Sequence, residues 1–141
     1  MSEKTTVDLL NELLEAERSG VIVFEQMSFL SSRKDANRVF SIIRNNESRD
    51  CEILHSLISR REVRPTDNIN NFADKLTALE DEKERIELAI RGCTWVTRKI
   101  TEFTEADLTE DEKEFLTGMH RQHIWNIGVM RELLAMKEEG R

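Results

Sequence analysis

Tyrosine is absent, proline occurs once (Pro65), and there are only five glycines in 141 residues. So few breakers leave little room for the tight turns of a sheet protein, and the abundance of Leu, Ile, Glu, Lys and Arg is the vocabulary of helices. Without tyrosine, no radical can be stored on a tyrosyl ring. The two cysteines, Cys51 and Cys93, form no Cys-x-x-Cys pair and fall in helical patterns, so thiols packed as small hydrophobes are expected. No run of 18 apolar residues is present to cross a bilayer, and the polar stretch from Met1 to Asp8 lacks the apolar region of a secretion signal. A cytoplasmic protein with no membrane partner is expected. Basic runs are missing as well. The net charge is -7, so nucleic acid is not expected as a partner, because phosphate contacts need a basic face.

What remains is a chain of single-domain size, long enough to bury a core without staples. Four long helices are expected. The first runs over roughly Val7 to Leu30, with Leu10, Leu13, Leu14, Val21, Phe24 and Met27 at helical spacing. After a short link at Ser31 to Lys34, the second runs over roughly Asp35 to Arg61 and presents Phe40, Ile43, Leu54, Leu57 and Ile58 on one face. Val63 to Asn71, with Pro65 and several Asn and Asp residues, reads as the one long connection. The third helix covers roughly Asp81 to Phe103, after an optional short helical piece at Phe72 to Leu79. The fourth opens on a Thr109-x-x-Glu112 capping box and stops near Gly140. Length alone leaves two arrangements open for the segment from Val63 to Glu80, a crossing of the bundle or a fifth helix.

The apolar stripes are interrupted at particular places. In the second helix, positions 40, 43, 47, 50, 54 and 57 share one face, which points Glu47 and Asp50 inward. In the fourth, the stepping 116, 120, 123, 127, 130 and 134 puts His120 and His123 on the core face. In the first, Glu17 lies inward between Leu13 and Val21. Glu87 borders the stripe of Ile86 and Ile90 in the third helix, where it either turns in or stays solvated. His55 lies off its stripe, and a surface position is expected for it. Burying ionised carboxylates costs several kcal/mol unless a cation or strong donors meet them. A divalent metal supplies such a cation, since carboxylate and imidazole groups three residues apart on a helix can both reach an ion on the bundle axis.

With these residues in place, the chain resembles the ferritin-like superfamily, in which bacterioferritin and rubrerythrin are found. The likeness covers nearly the whole chain, and the segments Leu9 to Arg18 and Arg91 to Val96 suggest a small bacterial branch. The resemblance implies two antiparallel helical hairpins joined by one long connection. It also implies a metal site built from Glu17, Glu47, Asp50, Glu87, His120 and His123, holding one or two ions, Fe or Mn, with oxygen- or peroxide-related redox chemistry. Asp50 stands where that family has a His, and His120 where it has a Glu. Both histidines therefore fall on the last helix, and a mononuclear two-His-one-carboxylate site competes with a dinuclear one. No cysteine-rich iron module is present, so an active protein would need a separate redox partner. The alternative is a metal-free bundle serving as a dimerisation or partner-binding module, its acids paired with the histidines or with Arg44, Arg91 or Arg98 in a buried ionic network. In either case a homodimer is expected. Neither a Ser-His-Asp arrangement nor a Gly-rich phosphate loop competes with these readings.

Overall fold

The computed structural model describes residues 4–139. The described chain consists of α1 (Thr6–Leu30), α2 (Lys34–Arg60), the short α3 (Phe72–Thr77), α4 (Glu82–Ile100) and α5 (Glu110–Glu139), with a 3-10 turn at Glu105–Asp107 and no strand among the described residues. No helix is long and apolar enough to cross a membrane. The stop expected at Gly140 lies outside the described residues.

Two capping boxes fix where the helical pattern starts. Thr5 Oγ1 accepts from the Asp8 amide at 3.0 Å while Asp8 accepts from the Thr5 amide at 3.2 Å. The same exchange joins Thr109 and Glu112, at 3.1 and 2.9 Å, and satisfies two of the amides that a helix start leaves free. Glu112 has a second role. Its two oxygens accept from Arg61 at 2.7 Å each, a bidentate clamp between the end of α2 and the start of α5. At the opposite end Arg33 donates to the Leu133 carbonyl at 3.2 Å. Past α2 the chain turns at Glu62, whose φ of 61° lies in the left-handed region common just after a helix.

The three-residue link at 31–33 returns α2 along α1, and these two share their most extensive contacts, as do α4 and α5. The connection after α2 is held against α1. Arg18 donates to the carbonyls of Thr66 and Asn68, the Thr66 amide donates to Asn11 at 2.9 Å, and the Thr66 hydroxyl donates to Glu15 at 2.9 Å. The segment whose structure the sequence left open contains α3, and Phe72 rests on α4, so close that a Cβ on Gly92 would lie 3.0 Å from its ring.

The interior has two apolar halves. One gathers Val23, Phe24 and Met27 with Phe40, Ile43, Ile86, Ala89, Met130 and Leu133. The other gathers Leu10, Leu13 and Leu14 with Leu54, Ile58, Val96, Leu116 and Met119. Between them lie buried Glu17, Glu47, Asp50, His123 and Asn126. A fully buried Leu or Ile contributes roughly 1.5–3 kcal/mol. The polar layer therefore forgoes stabilisation that a continuous apolar stripe would give.

Candidate metal centre

Three helices place the polar layer. Glu17 comes from α1, Glu47 and Asp50 from adjacent turns of α2, and His123 from α5, with exposures of 1%, 2%, 8% and 0%. These are four of the six residues singled out from the sequence. The other two do not join them. Glu87 is exposed, and it lies six residues before Cys93, the α4 residue at the level of the cluster, which is about 9 Å along the axis. His120 is half-buried in a separate hollow against Ile100, Phe103 and Leu108.

The error at His120 has a simple geometric cause. Two phases of the α5 stripe share positions 116, 123 and 130. The expected one continued through 120, 127 and 134, whereas the folded chain buries Glu112, Leu116, Met119, His123, Asn126, Met130 and Leu133, with Ile127 alongside. Burying Met119 costs no polar group, so the helix rotates His120 to the flank. Asn126, fully buried, was missed for the same reason.

His123 fixes the chemistry of the layer. Its Nδ1 lies 2.9 Å from the Met119 carbonyl, which can only accept, so Nδ1 carries the proton and donates it there. Nε2 then faces Glu17 Oε2 at 3.3 Å and Glu47 Oε2 at 3.4 Å. An unprotonated Nε2 and two carboxylates would all be acceptors. The set requires a proton, on the imidazole or on a carboxyl, or a metal ion at its centre. Without metal it is the proton. Burial by itself would lower the His123 pKa, but the carboxylates of Glu17 and Glu47 outweigh it and raise it well above the usual value. Burial raises Glu17 well above the ordinary range, helped by the Glu47 charge and opposed by His123. Glu47 is raised by burial against the pull of His123, and Asp50 is raised by burial against the influence of the neighbouring Glu17 and the charges of His123 and Arg49.

The arrangement still leaves buried acceptors over. Glu17 Oε1 and Asp50 Oδ2 have no hydrogen-bond partner, and neither has Asn126 Nδ2. Such orphans are rare in a packed interior and cost about 1–3 kcal/mol each. Of the arginines named from the sequence, Arg44 pairs with the exposed Glu25, and Arg91 and Arg98 are exposed. Two sets of donor atoms converge within 4.8 Å of one another: Glu17, Asp50 and His123, and Glu47, Cys93 and His123. Either could hold a divalent ion. Since Nδ1 is occupied, His123 can serve only one ion at a time.

Space has been made for the Glu47 carboxylate. A Cβ on Gly20 would fall 1.8 Å from Glu47 Oε1, so the glycine, one turn beyond Glu17, is the cradle in which that oxygen lies. A cleft of about 450 Å³ leads from solvent past Phe72, Lys75 and Trp95 to Glu17, Glu47, Cys93 and His123. Cys51 keeps its proton, pushed up to about 12 by burial and neighbouring carboxylates, as expected of a thiol packed as a hydrophobe.

These features define a class, an all-helical protein with a buried carboxylate–imidazole cluster at the foot of an open cleft. More particularly, the chain belongs to the DUF6306 family, described as a domain of unknown function, whose model matches residues 4–132. No curated protein and no solved structure matches it.

Proposed function

We propose that the chain is a metal-binding protein of ferritin-like architecture, holding one divalent transition-metal ion in its polar layer through His123 and the carboxylates of Glu17, Glu47 and Asp50. The observation that carries this reading is the pair of orphaned buried oxygens, Glu17 Oε1 and Asp50 Oδ2, beside an imidazole nitrogen already aimed at carboxylates. A cation among them satisfies all of these at once. The Nδ1–H bond to a backbone carbonyl is the outer contact that metal-bound histidines usually make. The ferritin-like part rests on the pairing of α1 with α2 and of α4 with α5, and on the long connection held along α1. In this reading the cleft admits a small molecule such as oxygen or peroxide to Fe or Mn, and reducing equivalents come from a separate partner.

The test is metal counting on protein purified without an affinity tag, beside a Glu47→Ala and His123→Ala double variant. One Fe or Mn per wild-type chain, absent from the variant, is the expected result. Two per chain would replace the mononuclear reading with a dinuclear one. No metal after anaerobic loading with Fe(II) and Mn(II) would refute the proposal and leave the metal-free partner-binding module.

A conservative change tests the cradle. In Gly20→Ala the new methyl group displaces the Glu47 carboxylate, while the helix gains roughly 1 kcal/mol in propensity. Metal affinity is expected to fall about tenfold or more, the usual scale for disturbing a ligand's support. Thermal stability of the metal-free protein should change little. Unchanged affinity by competition titration would show that Glu47 does not ligate.

A further inference from the structure

Cys93 packs in the apolar half with Ile86 and Ala89, as expected of a small hydrophobe, and its sulfur also lies within 4.8 Å of donor atoms of Glu47 and His123. It lies on the one long helix that contributes no carboxylate or histidine to the cluster, and it is 4% exposed. Resting on the metal-binding reading above, we propose that Cys93 is a thiolate ligand of the ion, so that the site takes Fe(II), Co(II) or Zn(II) in preference to Mn(II). On binding, the thiol and the His123 Nε2–H each release a proton to solvent, and the sulfur and Nε2 each donate an electron pair to the ion, with no change of oxidation state.

Four observations support this. First, the donor atoms of Glu47, Cys93 and His123 lie within 4.8 Å of one another, and Glu47 and His123 are already 3.4 Å apart. Ligands around a tetrahedral ion at bonds of about 2.0–2.3 Å stand roughly 3.3–3.8 Å apart, so the trio needs to draw in by about 1.5 Å at most. Second, the unpartnered and fully buried Glu17 Oε1 belongs to a residue whose other oxygen lies 3.3 Å from the same His123 nitrogen, which gives the ion a further oxygen donor. Third, Asn126 neighbours the thiol, and its buried Nδ2 has no hydrogen-bond partner. An amide N–H beside the sulfur is the kind of outer contact that steadies a metal thiolate. Fourth, Glu47, Cys93 and His123 all line the cleft, whereas Asp50 lines a groove between α2 and α5. An ion held by the cysteine trio therefore has one side open to the cleft, the arrangement of a reactive site rather than a closed structural one. Thiolate is a soft ligand that suits iron, cobalt and zinc and suits manganese poorly.

The experiment is cobalt substitution of the metal-free protein, followed by absorption spectroscopy, on wild type, Cys93→Ser, Cys51→Ser and Cys93→Asp. Bound Co(II) with a near-ultraviolet sulfur-to-metal charge-transfer band, present in wild type and Cys51→Ser and lost in Cys93→Ser, is expected. In competition titrations the preference for Co(II) over Mn(II) should fall about tenfold or more in Cys93→Asp, which keeps an anionic donor but removes the sulfur. Wild-type protein that binds Co(II) without the band would overturn the thiolate and leave the carboxylate–histidine site standing. Failure of wild-type protein to bind Co(II) at all would overturn both readings. The wild-type and Cys51→Ser spectra together decide the question even if Cys93→Ser fails to fold.

Discussion

At pH 7, replacing His123 alone by leucine is expected to destabilise the metal-free protein by about 3 kcal/mol, whereas replacing Glu17, Glu47 and His123 together by leucine leaves it as stable or makes it more stable. The single change removes the imidazolium and strands two buried carboxylates whose nearest cation was 3.3 and 3.4 Å away. Among the described residues, neither carboxylate forms an ion pair with Lys or Arg; Arg44 is engaged with Glu25, and Arg91 and Arg98 are exposed. The triple change removes the imidazole and the two carboxylates that face it and joins the apolar halves above and below. Asp50 can stay, because its outer side reaches the groove between α2 and α5. Urea unfolding of the three proteins provides the comparison. A triple variant much weaker than wild type would mean that the polar layer holds the bundle together. The expected gain would mean that it is kept at a cost to stability, as a binding site would be.

How much of this could be read from the sequence depended on whether one helix or several had to be aligned. The capping box of Thr109 and Glu112 is local, four residues with their own hydrogen bonds, and it stands where the sequence put it. The inward positions of Glu17, Glu47 and Asp50 follow from stripes whose flanking Leu and Ile residues admit one phase. The α5 stripe admits two, and only packing against the neighbouring helices chooses Met119 over His120. For Glu87 the sequence left two positions open, and the structure takes the solvated one. Its neighbour Ile86 is buried, but one residue is a rotation of about 100° on a helix, enough to carry a side chain from core to solvent. Cys93 was visible as a stripe residue, but nothing local showed that its level along α4 matches that of Glu47 and His123. Gly20 is the same case. A glycine inside a helix is unfavourable by about 1 kcal/mol, which signals a close approach without saying what approaches. It is the Glu47 carboxylate, from another helix.

The metal-free protein is expected to lose stability as pH rises from 5 to 8, with metal reversing the trend. Glu17, Glu47 and Asp50 have folded pKa values raised above their ordinary 4.5, 4.5 and 3.8. Above those values the unfolded chain has released protons that the folded chain still holds, so each pH step up to the folded pKa favours unfolding. His123 acts in the same direction. Its folded pKa is raised above 6.5, and its contribution is complete below that value and is lost as pH climbs through the raised one. The lowered carboxylates, Glu112 paired with Arg61, Glu12 with Lys4 and Lys99, and Asp35 with Arg33, act oppositely, but their contribution is already established above 4.5 and is lost only on the acid side. One extra proton held in the fold corresponds to about 1.4 kcal/mol per pH unit, so a rise of two units should lower the melting temperature by roughly ten degrees. A bound divalent ion takes the place of those protons, and its affinity grows as they become easier to release. The difference in melting temperature between metal-loaded and metal-free protein should therefore widen steadily from pH 5 to pH 8. Thermal unfolding at several pH values, with and without Fe(II) under anaerobic conditions, measures both slopes. A metal-free slope of zero across this range would mean that the buried layer carries no excess protons, and with them would go the reason for placing a cation among Glu17, Glu47 and His123.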